Sequence, residues 1–95
     1  MNEETILEEL LALLEANGVE IRRDALGGGG GGLCTVKGQR LFFLDTQAPL
    51  AESGAVCAKA VADVVDIDGI YIRPLVRQFI EQHSNTQYRS TNDDS

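Results

Sequence analysis

The chain has 95 residues and a mass of 10.3 kDa, which limits it to a single domain with one modest core. Its formal net charge is −7, from 15 acidic and 8 basic residues, and an acidic surface repels the phosphate backbone of nucleic acids. No apolar run approaches the roughly 18 residues that a membrane-spanning helix needs. We therefore expect neither nucleic acid nor a membrane as a partner. Residues 1–4, Met-Asn-Glu-Glu, carry negative charge where a secretory signal is basic, so a cytoplasmic location is expected.

The first part of the chain predicts a helix followed by a strand. Leucine and isoleucine recur at spacings of three and four over residues 3–17, which is the period of a helix with one buried face. Asn17 and Gly18 then provide a typical helix end. Apolar and polar residues alternate over residues 19–23, which indicates a strand with Val19 and Ile21 directed inward.

Six consecutive glycines, residues 27–32, follow this strand. Ordering glycine costs more backbone entropy than ordering any other residue, so the run predicts a flexible connecting loop. The alternative is a cradle of backbone N–H groups for an anion or a small ligand. Known phosphate-binding glycine motifs lead into a helix, whereas a strand follows this run. The candidate anion-binding residues are Gly28, Gly29, Gly30, Arg22, Arg23 and Arg40.

The residues after the glycines predict a β-hairpin. Segments 33–36 and 39–44 flank the two-residue turn Lys37-Gly38, a register that pairs Cys34 with Leu41 and Leu33 with Phe42. Every residue of the segment 41–44 is apolar, so we expect this strand at the centre of the sheet and covered on both faces. Cys34, beside Leu41, is expected to be a small buried side chain.

Two further helices are predicted in the second half. The helix over 49–65 is apolar nearly all round, which indicates burial between the sheet and another helix or in a subunit interface, with Gly54 at a tight helix contact. A turn over 66–69 and an extended segment 70–72 follow. Pro74 begins a helix that extends to about residue 82. Its predicted inner residues are Leu75, Val76, Phe79 and Ile80.

Together these elements predict an α+β domain over residues 1–83. The sheet is expected to be small, three-stranded and mainly antiparallel, covered by helices in the order α-β-β-β-α-(β)-α, with 70–72 as a possible additional strand. Residues 84–95 are rich in serine, threonine, asparagine and aspartate and are predicted to form a disordered tail.

The residues that could carry chemistry are few. Two cysteines, Cys34 and Cys57, and one histidine, His83, do not make a disulfide scaffold or a four-ligand zinc site. Cys34 with His83 as its base is the only nucleophile pair to consider, and His83 lies at the end of the last helix, next to the predicted tail. We therefore expect no enzymatic activity, no metal and no cofactor.

The remaining signal is for protein binding. Tyr71, Arg73 and Arg77 form a small cluster of residue types that are enriched in interfaces. The leading hypothesis is a cytoplasmic module that binds another protein or itself, in the second case as a homodimer, through its second or third helix. The alternative is the small-ligand or anion binder that uses the glycine loop 27–32.

Two stretches resemble small uncharacterised bacterial proteins to which no activity is attached. They are the hairpin segment 31–40, of the pattern GGLCxVKGxR, and the segment 68–77, DGIYIRPLVR, and the resemblance includes the apolar strand and the helix that lie between them. The resemblance covers about half of the chain. It implies a bacterial cytoplasmic protein and assigns a role to none of these residues.

Overall fold

The computed structural model describes residues 2–29 and 31–93, with side chains as far as residue 84. The described part contains three helices and one three-stranded sheet, so the predicted α+β fold and element order are confirmed. The elements are α1 (Glu3–Ala16), β1 (Glu20–Asp24), β2 (Gly32–Val36), β3 (Gln39–Asp45), α2 (Leu50–Val64) and α3 (Pro74–Asp93).

The sheet has the strand order β1-β3-β2, so β3 is central as predicted. β2 and β3 form the predicted antiparallel hairpin, in which Cys34 pairs with Leu41 and Leu33 with Phe42. β1 pairs with β3 in parallel, and the sheet is therefore mixed. The parallel pairing arises because the chain leaves β1 through the glycine loop, returns along β2 and turns again into β3.

The hairpin turn is a tight two-residue turn. Lys37 and Gly38 have φ angles of 52° and 79°, and both must be positive in the type I′ turn that suits the twist of a hairpin. Glycine meets this requirement without strain at Gly38. The predicted turn is thus confirmed in its position and in its chemistry.

The helices form one layer on one face of the sheet. α1 is capped by Asn2, whose side-chain Oδ1 accepts a hydrogen bond of 2.8 Å from the N–H of Thr5. Phe42 and Leu44 of β3 are buried beneath the helices. The core is completed by buried side chains of all three helices and of the connecting segments: Leu7, Leu10, Leu11, Leu14, Val19, Cys57, Ala58, Ala60, Val61, Val65, Ile72, Val76 and Ile80.

α2 is the central helix of this layer. It contacts α1, α3, β2 and β3, which confirms the prediction that an almost wholly apolar helix is covered on several sides. A Cβ on Gly54 would lie 3.1 Å from Cζ of Phe79, so α2 and α3 approach closely at this glycine, as predicted. Among the described residues, no helix combines the length and the apolar character required to cross a bilayer.

The expectation that β3 is covered on both faces is wrong. Leu41 and Phe43, which point away from Phe42 and Leu44, are only half-buried. The physical reason is that α1 and α2 pack on the Phe42 side, with α3 packed on these two helices, and no element of the described chain covers the other side. The expectation that Cys34 is buried is wrong for the same reason, because Cys34 lies on this uncovered side of an edge strand and is exposed.

The end of the chain also differs from the prediction. Segment 70–72 forms no strand, since Ile72 enters the helical core, where it is buried. Leu75, predicted to face inward, is 54% exposed. α3 continues to Asp93, beyond its predicted end near residue 82, and no glycine or proline after Pro74 interrupts it. Residues 94 and 95 of the predicted tail lie outside the described residues, and the domain limit at residue 83 stays a prediction.

Candidate interaction site

The uncovered side of the sheet carries an apolar surface. Side chains alternate between the two faces of a strand, so Cys34 and Val36 of β2 share one face with Leu41 and Phe43 of β3. Leu26, in the loop after β1, lines a shallow depression of about 460 Å³ together with Cys34, Phe43 and the neighbouring residues Gly31, Gly32 and Leu33. Val36 is 48% exposed and Leu26 is 44% exposed. We call Leu26, Cys34, Val36, Leu41 and Phe43 the open face.

Charged residues of β1 bound the open face on one side. In the parallel register Glu20 lies beside Leu41 and Arg22 beside Phe43. Nε of Arg22 donates to Oε2 of Glu20 at 2.6 Å, so the two charges form an ion pair along β1. The apolar surface is therefore bounded at β1 and continues to the edge of the sheet only at β2.

The glycine loop is attached to the end of β3 by a buried carboxylate. Oδ1 of Asp45 accepts hydrogen bonds from the backbone N–H groups of Leu26 at 3.0 Å and of Gln47 at 2.9 Å. Oε1 of Gln47 in turn accepts from the N–H of Gly27 at 2.7 Å. Asp45 is only 2% exposed. The start of a loop predicted to be flexible is thus held in place, and the residues that hold it were not singled out in the sequence.

Part of this arrangement had a sequence signal. An aspartate that follows an apolar strand commonly accepts a hydrogen bond from the N–H two residues later, and Asp45 does so from Gln47. The contact between Asp45 and Leu26 joins residues 19 positions apart and had no local signal.

Gly31 places the start of β2 against β3. A Cβ on Gly31 would lie 1.6 Å from the carbonyl oxygen of Phe43, a distance that no other residue can accept. Gly29 has nothing within 4 Å of a Cβ. One glycine of the run is therefore required by close backbone approach, whereas another of the run is not.

The edge of β2 borders a groove. The groove has a volume of about 310 Å³ and lies between β2 and α2. Neither Lys59 nor Asp63 of its α2 wall forms an ion pair within the part of the chain that the structure describes. The lining residues are Gly31, Gly32, Leu33, Val56, Lys59, Ala60 and Asp63.

The residues predicted for anion binding are dispersed. Arg22 is paired with Glu20, and Arg23 lies exposed at the end of β1. Arg40 is the second residue of β3. Arg23 pairs with Leu44, four residues further along the same strand, so the two arginines lie about 13 Å apart along the strand direction. Of the predicted loop residues, Gly28 and Gly29 lie in the turn after β1 and Gly30 lies outside the described residues.

Two of the three residues predicted for protein binding lie together. Tyr71, 81% exposed, and Arg73 line a groove of about 430 Å³ on the surface of α1. Nη1 of Arg73 is 2.9 Å from Oε2 of Glu9 on the same groove. Arg77 has a different position, because its guanidinium donates to the carbonyl oxygen of Ile67 and lies 3.4 Å from Asp68. Arg77 therefore holds the turn before α3.

The groups that could carry nucleophilic chemistry are separated. Cys34 is exposed on β2, whereas burial raises the pKa of Cys57 to about 12. His83 packs on Phe79, with ring centroids 4.4 Å apart, on a helix that contacts α1 and α2 and no strand in the described chain. Among the described residues no cluster of three histidine, cysteine or acidic side chains is placed to hold a metal ion.

No family model, no curated protein and no solved structure matches this chain. What the site can do therefore follows from its own residues. The open face offers apolar area, and the neighbouring edge of β2 offers main-chain donors and acceptors.

Proposed function

We propose that this chain is a protein-binding module without catalytic activity, and that it binds through the open face and the edge of β2. One observation carries the proposal: an apolar, partly exposed sheet face continues to a strand edge on which no residue is charged. Contiguous exposed apolar surface on a soluble protein is typical of an interaction site.

The composition of the surface supports a protein as the ligand. Phe43 contributes an aromatic side chain, a type enriched in protein interfaces, and the open face itself carries no charged residue. The depression is shallow and is not enclosed by side chains from the helices. This shape suits an extended or flat protein surface better than a small molecule, which is usually bound in a cleft that covers most of its area.

The absence of catalysis is supported by the placement of the reactive groups. Cys34 and His83 lie on elements that do not contact each other, so the thiol has no base from the described part of α3. Asp45 is engaged with backbone N–H groups of the glycine loop. A nucleophile needs its base within hydrogen-bond reach.

The alternative function, an anion site in the glycine loop, has less support. The N–H groups of Leu26 and Gly27 already donate to side chains of the chain itself. A carboxylate, Asp45, lies at the base of the loop, and a negative charge there opposes the binding of an anion.

Site-specific photo-crosslinking tests the proposal. A photoreactive amino acid replaces Val36 on the open face, Tyr71 in the α1 groove, or Glu8, which is exposed on α1 and serves as the control position. Each variant is irradiated as purified protein and in extract of the native cell. We expect protein adducts at Val36 in excess of those at Glu8. Adducts at Val36 no more abundant than at Glu8 would overturn the proposal, and adducts confined to Tyr71 would move the interaction to the surface predicted from the sequence.

A further inference from the structure

The hydrogen-bonding groups on the free edge of β2 are fixed by the hairpin. In the turn Lys37-Gly38 the carbonyl of Val36 faces the N–H of Gln39, so Val36 directs its backbone groups towards β3. Backbone direction alternates along an antiparallel strand, so Cys34 also bonds to β3. The N–H and C=O groups of Leu33 and Thr35 therefore point away from the sheet.

This edge lacks the features that prevent strand pairing. Gly32–Val36 contains no charged residue and no proline, and it is not covered by a helix or loop along its groove. Charged residues, prolines and covering segments are the usual means by which proteins protect an edge strand. β2 is therefore a template for one more strand.

We infer that β2 pairs with β2 of a second copy of this chain, antiparallel about a twofold axis that passes through Cys34. The inference rests on the proposed function, in which the β2 edge binds protein. The pairing gives a six-stranded sheet. Residues Gly32–Val36 of one copy meet residues Gly32–Val36 of the other, as an interface with twofold symmetry requires.

The register follows from the directions of the backbone groups. Leu33 exchanges two hydrogen bonds with the partner's Thr35, and symmetry supplies two more, so all outward groups of Leu33 and Thr35 are paired. Cys34 lies opposite the partner's Cys34 at a position without hydrogen bonds, where Cα atoms are about 4.5 Å apart. The open faces of both copies then lie on the same side of one continuous sheet.

Charge complementarity favours a second copy as the occupant. In this register the partner's Lys37, at its hairpin tip, lies opposite Gly31, which lines the same groove as Asp63. Asp63 has no ion-pair partner within the described residues of its own chain. The symmetric arrangement brings one Lys37 to the groove of the other copy at each end of the paired strands, where Asp63 carries the opposite charge and shares the α2 wall with Lys59.

Oxidative crosslinking tests the position of the axis. Diamide is added to the folded protein at neutral pH, and the products are separated without reductant. Because an opposed pair at about 4.5 Å lies within the Cα range of disulfides, we expect a covalent dimer that Cys34→Ser abolishes. Cys57 is buried and does not replace it. A protein that sediments as a dimer but forms no Cys34 crosslink would overturn the register.

A proline variant tests the hydrogen bonds. Thr35→Pro removes an N–H that points away from β3, so the hairpin keeps its own bonds, whereas Thr35→Val retains the N–H. Loss of two hydrogen bonds per dimer raises the dissociation constant by about thirtyfold, the equivalent of about 2 kcal/mol. Sedimentation measures the constant, and circular dichroism confirms the fold. If the two variants dimerise equally, or if Thr35→Pro unfolds while diamide yields no Cys34-linked dimer of the parent chain, the inference is wrong.

The outcome also separates this inference from the proposed function. A chain that stays monomeric at its highest attainable concentration, yet forms Val36 adducts with another protein, overturns self-pairing and leaves protein binding in place. A chain that is monomeric and forms no adducts overturns both.

Discussion

The two edge strands of the sheet are built in opposite ways. Four of the five residues of β1, Glu20–Asp24, are charged, and Glu20 and Arg22 form an ion pair along it. None of the five residues of β2, Gly32–Val36, is charged. Charged side chains on an edge discourage the addition of another strand, because pairing would desolvate them. The difference shows that only one edge of this sheet is protected against pairing.

The comparison also explains why the open face matters. The apolar surface ends at the ion pair on β1 and reaches the edge on β2. Apolar area and free main-chain groups therefore coincide at the same strand. The glycine loop joins the protected edge to the unprotected one, so the residues that fix this loop also fix the position of the unprotected strand.

The largest expected effect on the free energy of unfolding comes from Gly31→Ala, at the start of the unprotected strand. The new Cβ would overlap the carbonyl of Phe43, and the backbone of β3 cannot move without loss of sheet hydrogen bonds. We expect the free energy of unfolding to fall by about 4 kcal/mol, measured by urea denaturation. Gly29→Ala is the matched control, because its Cβ would have nothing within 4 Å, and it should change stability by no more than about 1 kcal/mol. Equal effects of the two substitutions would show that β2 does not begin against β3 as described.

Asp45→Ala should have the next largest effect. It removes a buried acceptor from the N–H groups of Leu26 and Gln47, and hydrogen bonds to a charged group contribute more than neutral ones. We expect a loss of about 3 kcal/mol in the free energy of unfolding, and faster amide exchange at Leu26 and Gly27. Asp63→Ala, an exposed aspartate without an ion pair in the described chain, is the control and should leave stability of the monomer nearly unchanged. Unchanged exchange in Asp45→Ala would contradict a loop fixed by this carboxylate.

The two cysteines differ in their surroundings, because Cys34 is exposed on the unprotected strand β2 and Cys57 is buried on α2. The pKa of Cys57 is raised from 9.0 to about 12 in the folded protein, so the unfolded chain loses this proton first as pH rises. Its contribution to stability is complete below pH 9, decreases above it, and is lost through about pH 12.

Between pH 9 and pH 10 the parent chain should lose about 1 kcal/mol more than Cys57→Ala, by urea denaturation. At neutral pH iodoacetamide should modify Cys34 rapidly and Cys57 only on unfolding. Identical pH profiles for the parent and Cys57→Ala would argue against a buried, neutral thiol.

The smallest effect on folding is expected for Glu20→Thr combined with Arg22→Thr, which removes charge from the protected edge. Removal of the ion pair changes stability by less than about 1 kcal/mol, because exposed pairs contribute little. It leaves Arg23 and Asp24 as the charged residues of β1 and weakens the protection of this edge, so we expect sedimentation to show species larger than a dimer. Addition of Thr35→Pro, which blocks the β2 edge, should reverse this growth. Persistence of the large species in the triple variant would indicate association through some other surface.

Local patterns were sufficient for much of the fold. The leucine spacing predicted α1, Lys37 and Gly38 predicted the hairpin and its register, and Gly54 predicted the close approach of α2 and α3. In each case the cause lies within a few residues of its effect. Periodicity and turn chemistry are local properties, so a sequence reveals them directly.

The features of the candidate site were harder to predict because they depend on distant contacts. Four successive apolar residues in β3 indicate a central strand, but the pattern does not distinguish one covered face from two. Cys34 is exposed for the same reason, because no helix covers its face of the sheet. The parallel partner of β3 and the bond from Leu26 to Asp45 join segments about 20 positions apart, over which a local pattern carries no signal.

The close approach of Gly31 to Phe43 bears on how the length of the glycine repeat can vary between related chains. The position beside the carbonyl of Phe43 requires the smallest residue, and glycine also occupies the positions before and after it. If replication added or removed one codon in the repeat, a different copy of the same residue would occupy that position. The junction therefore tolerates changes in repeat length that would disrupt a mixed sequence, and related chains are expected to differ there in length while keeping a glycine opposite Phe43.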